Sequence, residues 1–144
     1  DEESIQMFEV FDSGNINLSQ LVSSAHVSGP GSSNECSEKI TLVVRRHASA
    51  EAVVHALCFA TNVECVIIWR SHIDDSCTEA LGCALARRTC NITHLHLPRN
   101  SITPTGIRHL SAALRAHAVL HTLDLADNLC GDRGAALLAD SFRH

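Results

Sequence analysis

A chain of 144 residues has room for one domain, or for a small domain with an appendage, and can bury a real core. Hydrophobic residues make up 45% of it and aromatic ones only 3%, so the core must be built from Leu, Ile, Val, Ala and Cys, as in small aliphatic units stacked regularly. A formal net charge of -5 without a concentrated Lys/Arg run argues against general affinity for nucleic acid or anionic lipid, which needs a basic surface to displace counterions.

Other global features narrow the class further. No stretch of about 18 uninterrupted apolar residues occurs, and the chain opens on Asp1, Glu2 and Glu3 instead of a basic flank. The expectation is a soluble, cytoplasmic chain with no membrane partner. The seven cysteines (Cys36, Cys58, Cys65, Cys77, Cys83, Cys90, Cys130) include no C-x-x-C pair, so they read as reduced thiols, mostly buried. The ten histidines are scattered and read as separate surface imidazoles. Asn91-Ile92-Thr93 is a glycosylation sequon that would matter only in the secretory pathway.

Residues 1–27 carry apolar side chains at Ile5, Phe8 and Phe11, then at Leu18, Leu21, Val22 and Ala25, around Asp12-Ser13-Gly14-Asn15. This spacing predicts two short amphipathic helices forming an N-terminal cap over the exposed edge of the main domain. The Phe8 to Ile16 segment superficially resembles half of an EF-hand, but Asp12 is the only carboxylate between Phe11 and Leu21, so the oxygen ligands for calcium are missing. It also faintly resembles an F-box, without that module's Leu-Pro opening. Residues 28–37 collect Gly, Pro, Ser and Asn and predict a flexible linker.

Residues 38–144 repeat. Leu120-x-x-Leu123-x-Leu125-x-x-Asn128-x-Cys130 lies 28 residues after Ile92-x-x-Leu95-x-Leu97-x-x-Asn100-x-Ile102, and the same offset carries Gly106 to Gly134 and Leu110 to Leu138. Stepping back by 29 finds Val63-x-x-Val66-x-Ile68-x-x-Ser71-x-Ile73, followed by Leu81 and Leu85. An earlier, degenerate copy has Ile40 and Leu42 in its strand and Val53 and Leu57 in its helix, with different offsets for the two halves. In each unit the L-x-L alternation turns two apolar side chains inward from a short strand, and apolar residues every three or four positions follow on a helix.

Neither half can hide its apolar face alone, so stacked units pair their strands into a parallel sheet beneath a layer of helices. Asn100 and Asn128 have the donors and acceptor to satisfy backbone groups where each strand bends away, a structural role. Thr103-Pro104, Asp74 and Gly131-Asp132 mark the three helix starts.

These motifs resemble the ribonuclease-inhibitor-like class of leucine-rich repeats, clearly from Val63 to Phe142 and more weakly from Ile40 to Asn62. Ser71 in place of the turn Asn, and Cys77 where the other units have Gly, depart from the pattern. The resemblance implies an α/β leucine-rich-repeat solenoid, with parallel strands on the concave side, helices on the convex side and a small helical N-terminal segment. That class includes ribonuclease inhibitors, Ran GTPase activators, tropomodulins, nucleotide-binding innate immune receptors and ciliary regulatory-complex subunits, so the fold does not choose a function.

No phosphate loop, H-E-x-x-H helix or grouped nucleophile is present, and no catalytic residue, cofactor or small-molecule substrate is expected. His94 and His96 share one side of a strand, but an H-x-H pair is weak evidence for a metal, and none is predicted. The outward strand positions are therefore the candidate protein-binding surface: Cys65, Ile67 and Trp69; His94, His96 and Pro98; Thr122, Asp124 and Ala126; with Arg70, Arg99 and Asp127 at the rim. Trp69, the one Trp, stands out because aromatic and Arg residues dominate binding hot spots.

The expected function is a non-enzymatic interaction module or scaffold subunit in a larger assembly, with protein partners that include neighbouring subunits. A cytoskeletal or ciliary setting is what the resemblance allows. A Ran-type GTPase activator, using residues such as Arg70, Arg99 and Asn100, and a ubiquitin-ligase substrate receptor are the alternatives. The chain stops at His144, just after the third helix, so an apolar open edge is expected there, completed by more of a longer protein or by a neighbour.

Overall fold

The computed structural model describes residues 6–10, 40–45, 54, 57–58, 63–117 and 119–143. Five strands, β1 (Gln6–Val10), β2 (Ile40–Arg45), β3 (Val63–Trp69), β4 (His94–His96) and β5 (Thr122–Asp124), form one sheet in sequence order. Every neighbouring pair is parallel. Among the described residues three helices, α1 (Asp75–Leu85), α2 (Pro104–His117) and α3 (Gly131–Ser141), come after β3, β4 and β5 in turn. The helices pack in order, α1 on α2 and α2 on α3.

The alternation in the strands sets which side is core. Val66 and Ile68 of β3, Leu95 of β4 and Leu97 just after it are fully buried, and they pack in one cluster with Leu81 and Leu85 of α1 and Ile107 and Leu110 of α2. Each such side chain contributes on the order of 1.5–3 kcal/mol by leaving water. Register carries the pattern across the sheet, with Val66 opposite Leu95 and Leu95 opposite Leu123. The last unit is less covered: Leu123, Leu125, Leu137 and Leu138 are only partly buried, while Leu129 is 65% and Phe142 70% exposed.

Between units the backbone contacts recur at the repeat spacing. Arg70 N–H donates to Pro98 O, and Arg99 N–H donates to Ala126 O. Ser101 N–H donates to Ile73 O at 3.0 Å, and Leu129 N–H donates to Ile102 O at 2.9 Å. Asn100 closes one junction: its Oδ1 accepts from Ser71 N and Ile73 N, and its Nδ2 donates to Ile68 O, Leu97 O and Pro98 O. Asn128 repeats this one unit later, accepting from Ile102 N and donating to Leu97 O, Leu125 O and Ala126 O. Ser71, too short to reach a neighbouring unit in this way, turns its hydroxyl to Trp69 O within its own turn.

The helix starts use different caps. Asp74 accepts the Cys77 N–H at 3.0 Å and the Ser76 hydroxyl at 2.8 Å. Thr103 accepts the Thr105 N–H, while Asp75 of the preceding helix accepts the N–H groups of Thr103 and Gly106 and the Thr103 hydroxyl. At α3, Gly131 is in the left-handed region, Cys130 makes no side-chain cap bond, and Asp132 sits in the first turn, where its charge favours the positive end of the helix.

Three expectations change. Gln6–Val10, expected within a helical cap and within the F-box resemblance, is a strand that pairs Phe8 with Leu42 and Val10 with Val44. A short apolar run fits either period, and the open hydrogen-bonding edge of β2 decides it, because pairing satisfies that edge. The remainder of residues 1–27, and the linker at 28–37, lie outside the described residues.

In the degenerate copy the strand pairs at a 24-residue step from Thr41 to Arg45 and at 23 at Ile40. Val44 pairs with Ile68, and the same 24-residue step carries the buried Val54 and Leu57 onto the buried Thr78 and Leu81. The strand register, displaced by an irregularity between Ile40 and Thr41, hid this. Val53 lies outside the described residues.

The cysteines also differ from expectation. None of the six described ones is in a disulfide, but Cys83 is exposed and Cys58, Cys65, Cys77, Cys90 and Cys130 are half-buried. Cys65 takes an outward strand position, opposite His94, which keeps it out of the main core.

Candidate protein-binding surface

The three described helices cover one face of the sheet, and the outward side chains of β3, β4 and β5 line the other. Two rows run across the strands there: Cys65, His94 and Thr122 in one, and Ile67, His96 and Asp124 in the next. All six side chains are half-buried. Val43 of β2, opposite Ile67, continues the second row and is buried at 6% exposure, so the row grades from apolar at β2 and β3 to polar at β4 and β5.

Within the second row His96 and Asp124 face each other, with Nδ1 3.5 Å from Oδ2. In the first row His94 Nδ1 lies 2.7 Å from the Thr93 hydroxyl, and its ring meets that of His121 edge-on at 6.4 Å between centroids. The fold therefore brings His94 and His121, 27 residues apart in sequence, together at the N-terminal end of β4 and β5. Among the described residues no group of three or more His, Cys, Asp or Glu side chains is placed to hold a metal ion.

Trp69 closes β3 and is half-buried, and the Arg70 guanidinium lies over its ring at 5.5 Å from the centroid. This is cation–π distance. The rim residues share a backbone property that spacing alone did not reveal. Arg70, Arg99 and Asp127, at the same position in successive units, all adopt left-handed φ of 49°, 55° and 55°. The turn swings each exposed side chain to the end of the strand, and Arg99 Nε reaches Asp127 Oδ2 at 3.2 Å.

Asn100 is buried and Asn128 half-buried beneath this rim, both engaged with backbone as described above. The surface thus unites Ile67, His96 and Asp124 in one row, while Trp69 with Arg70 and Arg99 with Asp127 form pairs at its border. Asp75, which joins α1 to α2, escaped sequence reasoning. Its only signal was an acid beside the cap residue Asp74, and the next two units have Pro104 and Asp132 in its place.

Ionisation shifts lie on the helix side. The Cys77 N–H, then the Ser76 hydroxyl, hold the Asp74 carboxyl below its ordinary range. Burial pushes the Cys90 and Cys130 thiols up. No described helix is long and apolar enough to cross a membrane.

No protein-family profile matches the chain. Sequence similarity does connect it to proteins named for leucine-rich repeats. Human NACHT, LRR and PYD domains-containing protein 12 is 31% identical over 97 residues, 67% of this chain and 9% of that protein. The mouse protein of the same name is 29% identical over 89 residues, and human NACHT, LRR and PYD domains-containing protein 14 is 38% identical over 61. The matched segments span 6% to 9% of the length of these relatives.

A solved structure of leiomodin-1 actin-binding site 2 superposes with a TM-score of 0.63 at 21% identity, covering 88% of this chain and 70% of that one. The two share a fold. The parallel sheet and the three described helices are compatible with a leucine-rich-repeat-like α/β fold, and the chain is similar in sequence to part of the NACHT, LRR and PYD domains-containing proteins.

Proposed function

We propose that this chain is a stretch of leucine-rich-repeat solenoid of the ribonuclease-inhibitor-like type, acting without catalysis as a protein-interaction module through the open face of its sheet. The 28- and 29-residue offsets and the repeated Asn junctions support the repeat type. The observation that carries the binding reading is the Ile67–His96–Asp124 row with Trp69 and Arg70 at its border. An apolar centre graded into polar and charged groups is what a protein partner uses for affinity and orientation.

The role is that of a scaffold subunit in a larger assembly in the cytoplasm. Actin is the first partner to test, because the structure sharing this fold is named for an actin-binding site. Cosedimentation with actin filaments would compare the unaltered chain, an Ile67→Glu/Asp124→Arg variant and a helix-side Glu79→Lys variant. Loss of binding on the order of tenfold in the sheet-face variant alone supports the reading. Binding that survives that variant, or falls equally in both, removes the open face as the interface. Absence of actin binding by the unaltered chain removes actin.

A further inference from the structure

The sequence has no basic run, yet residues 80–123 contain no Asp or Glu at all, in a chain whose net charge is -5. The fold turns that asymmetry into a surface. Arg88 lies in the turn after α1, Arg115 in the last turn of α2 and Arg143 just past α3, 27 and 28 residues apart. Because the three helices come after parallel strands and pack side by side, their C-terminal ends form one edge.

All three arginines are exposed, as is Arg87 beside the first. His121, just before β5 and also exposed, lies on the same edge. Among the described residues the carboxylates there are few. Asp140 is 4.0 Å from Arg143, and the half-buried Glu64 is the second residue of β3. Arg88 and Arg115 make no ion pair with a described carboxylate. Arginine near a helix C-terminus offsets the negative end of the dipole, but each terminus carries only about half a charge, so the row remains cationic.

We propose that this edge binds an extended acidic segment of a partner protein. Packed helices stand about 10 Å apart, and an extended chain advances about 3.3 Å per residue, so carboxylates at every third residue match the arginine spacing. Phe142, exposed beside Arg143, offers an apolar contact at one end of the row. A polyphosphate chain fits less well, because its dense charge meets only this short row on a chain that is negative overall. The surface is separate from the open sheet face and stands or falls independently of it.

The test is fluorescence anisotropy at low ionic strength with a labelled peptide of repeated Glu-Ser-Gly triplets. A Gln-Ser-Gly peptide and an oligouridylate of equal length are the comparison probes. The acidic peptide binds, the Gln peptide does not, and added salt weakens the complex. Arg88→Glu/Arg115→Glu weakens it on the order of tenfold, Arg88→Lys/Arg115→Lys largely retains it, and Arg133→Glu in the first turn of α3 leaves it within about twofold. Circular dichroism shows that each variant is folded. No binding by the unaltered chain, equal loss in Arg133→Glu, or tighter binding of the oligouridylate through the same arginines overturns the proposal.

Discussion

Asp75 and Gly106 join two helices through one hydrogen bond: the carboxylate in the first turn of α1 accepts the backbone N–H in the first turn of α2 at 3.0 Å. The same carboxylate takes the Thr103 N–H and hydroxyl, so α2 is capped partly by its neighbour. Asp75→Ala leaves those donors without it and is expected to cost about 2–3 kcal/mol in urea unfolding. Gly106→Ala acts at the same contact, because a Cβ there would lie 2.5 Å from Asp75 Oδ1 and 2.7 Å from Thr78 Oγ1. The steric cost outweighs the helix preference of Ala over Gly, about 1 kcal/mol. The double variant is expected to lose less than the sum of the singles, since both disrupt one contact. Simple additivity would show that Asp75 does not hold this junction.

The two turn asparagines differ in what they hold. Asn100 is buried and accepts two backbone N–H groups, whereas Asn128 is half-buried and accepts one. Asn100→Ala is expected to cost about 3 kcal/mol and Asn128→Ala roughly half of that, because the first strands more buried backbone groups. Asn100→Asp keeps the shape but sets a carboxylate oxygen against the carbonyls of Ile68, Leu97 and Pro98, and is expected to cost at least as much as Ala. Equal losses at the two positions would refute this ranking.

Arg99 occupies a conformation that favours glycine, with φ of 55°. Arg99→Val places a β-branched residue there and is expected to destabilise by roughly 1–2 kcal/mol. Arg99→Gly relieves the strain while giving up an exposed ion pair with Asp127, and should leave stability within about 0.5 kcal/mol. Thermal unfolding of the pair decides the matter, and similar values for Val and Gly would mean that the turn relaxes away from this backbone geometry.

The cap at α1 depends on pH. Asp74 is held below its ordinary value of 3.8, first by the Cys77 N–H and then by Ser76, so the folded chain releases this proton more readily than the unfolded one. The resulting stabilisation is present above pH 3.8 and is lost as the pH falls through the lower folded value. The difference in urea midpoint between the unaltered chain and Asp74→Ala is therefore expected to be constant near neutrality and to shrink below pH 3.8. A difference that persists unchanged in strong acid would show that the ionised carboxylate is not the capping species.

The repeats were legible because their physics is local. Alternation at Val66 and Ile68, and at Leu95 and Leu97, identifies the core side of each strand, and the spacing of Asn100 and Asn128 identifies the junctions. The same alternation names Ile67, His96 and Asp124 as outward residues, but their alignment in one row is a matter of register. Register also reveals the 24-residue step at β2, which the irregularity between Ile40 and Thr41 obscures in the linear sequence.

The sequence by itself determined the order of strands and helices from Val63 onward, the inward faces and the turn asparagines, because periodicity and side-chain chemistry suffice for them. Only the tertiary structure decided that Gln6–Val10 is a strand, since the open edge of β2 supplies the hydrogen bonds that choose between two readings of a short apolar run. It alone brought Asp75 to the cap of the next helix, and Arg88, Arg115 and Arg143 to one edge. Those relationships join residues about one repeat apart, and stacking, rather than any local preference, makes them neighbours.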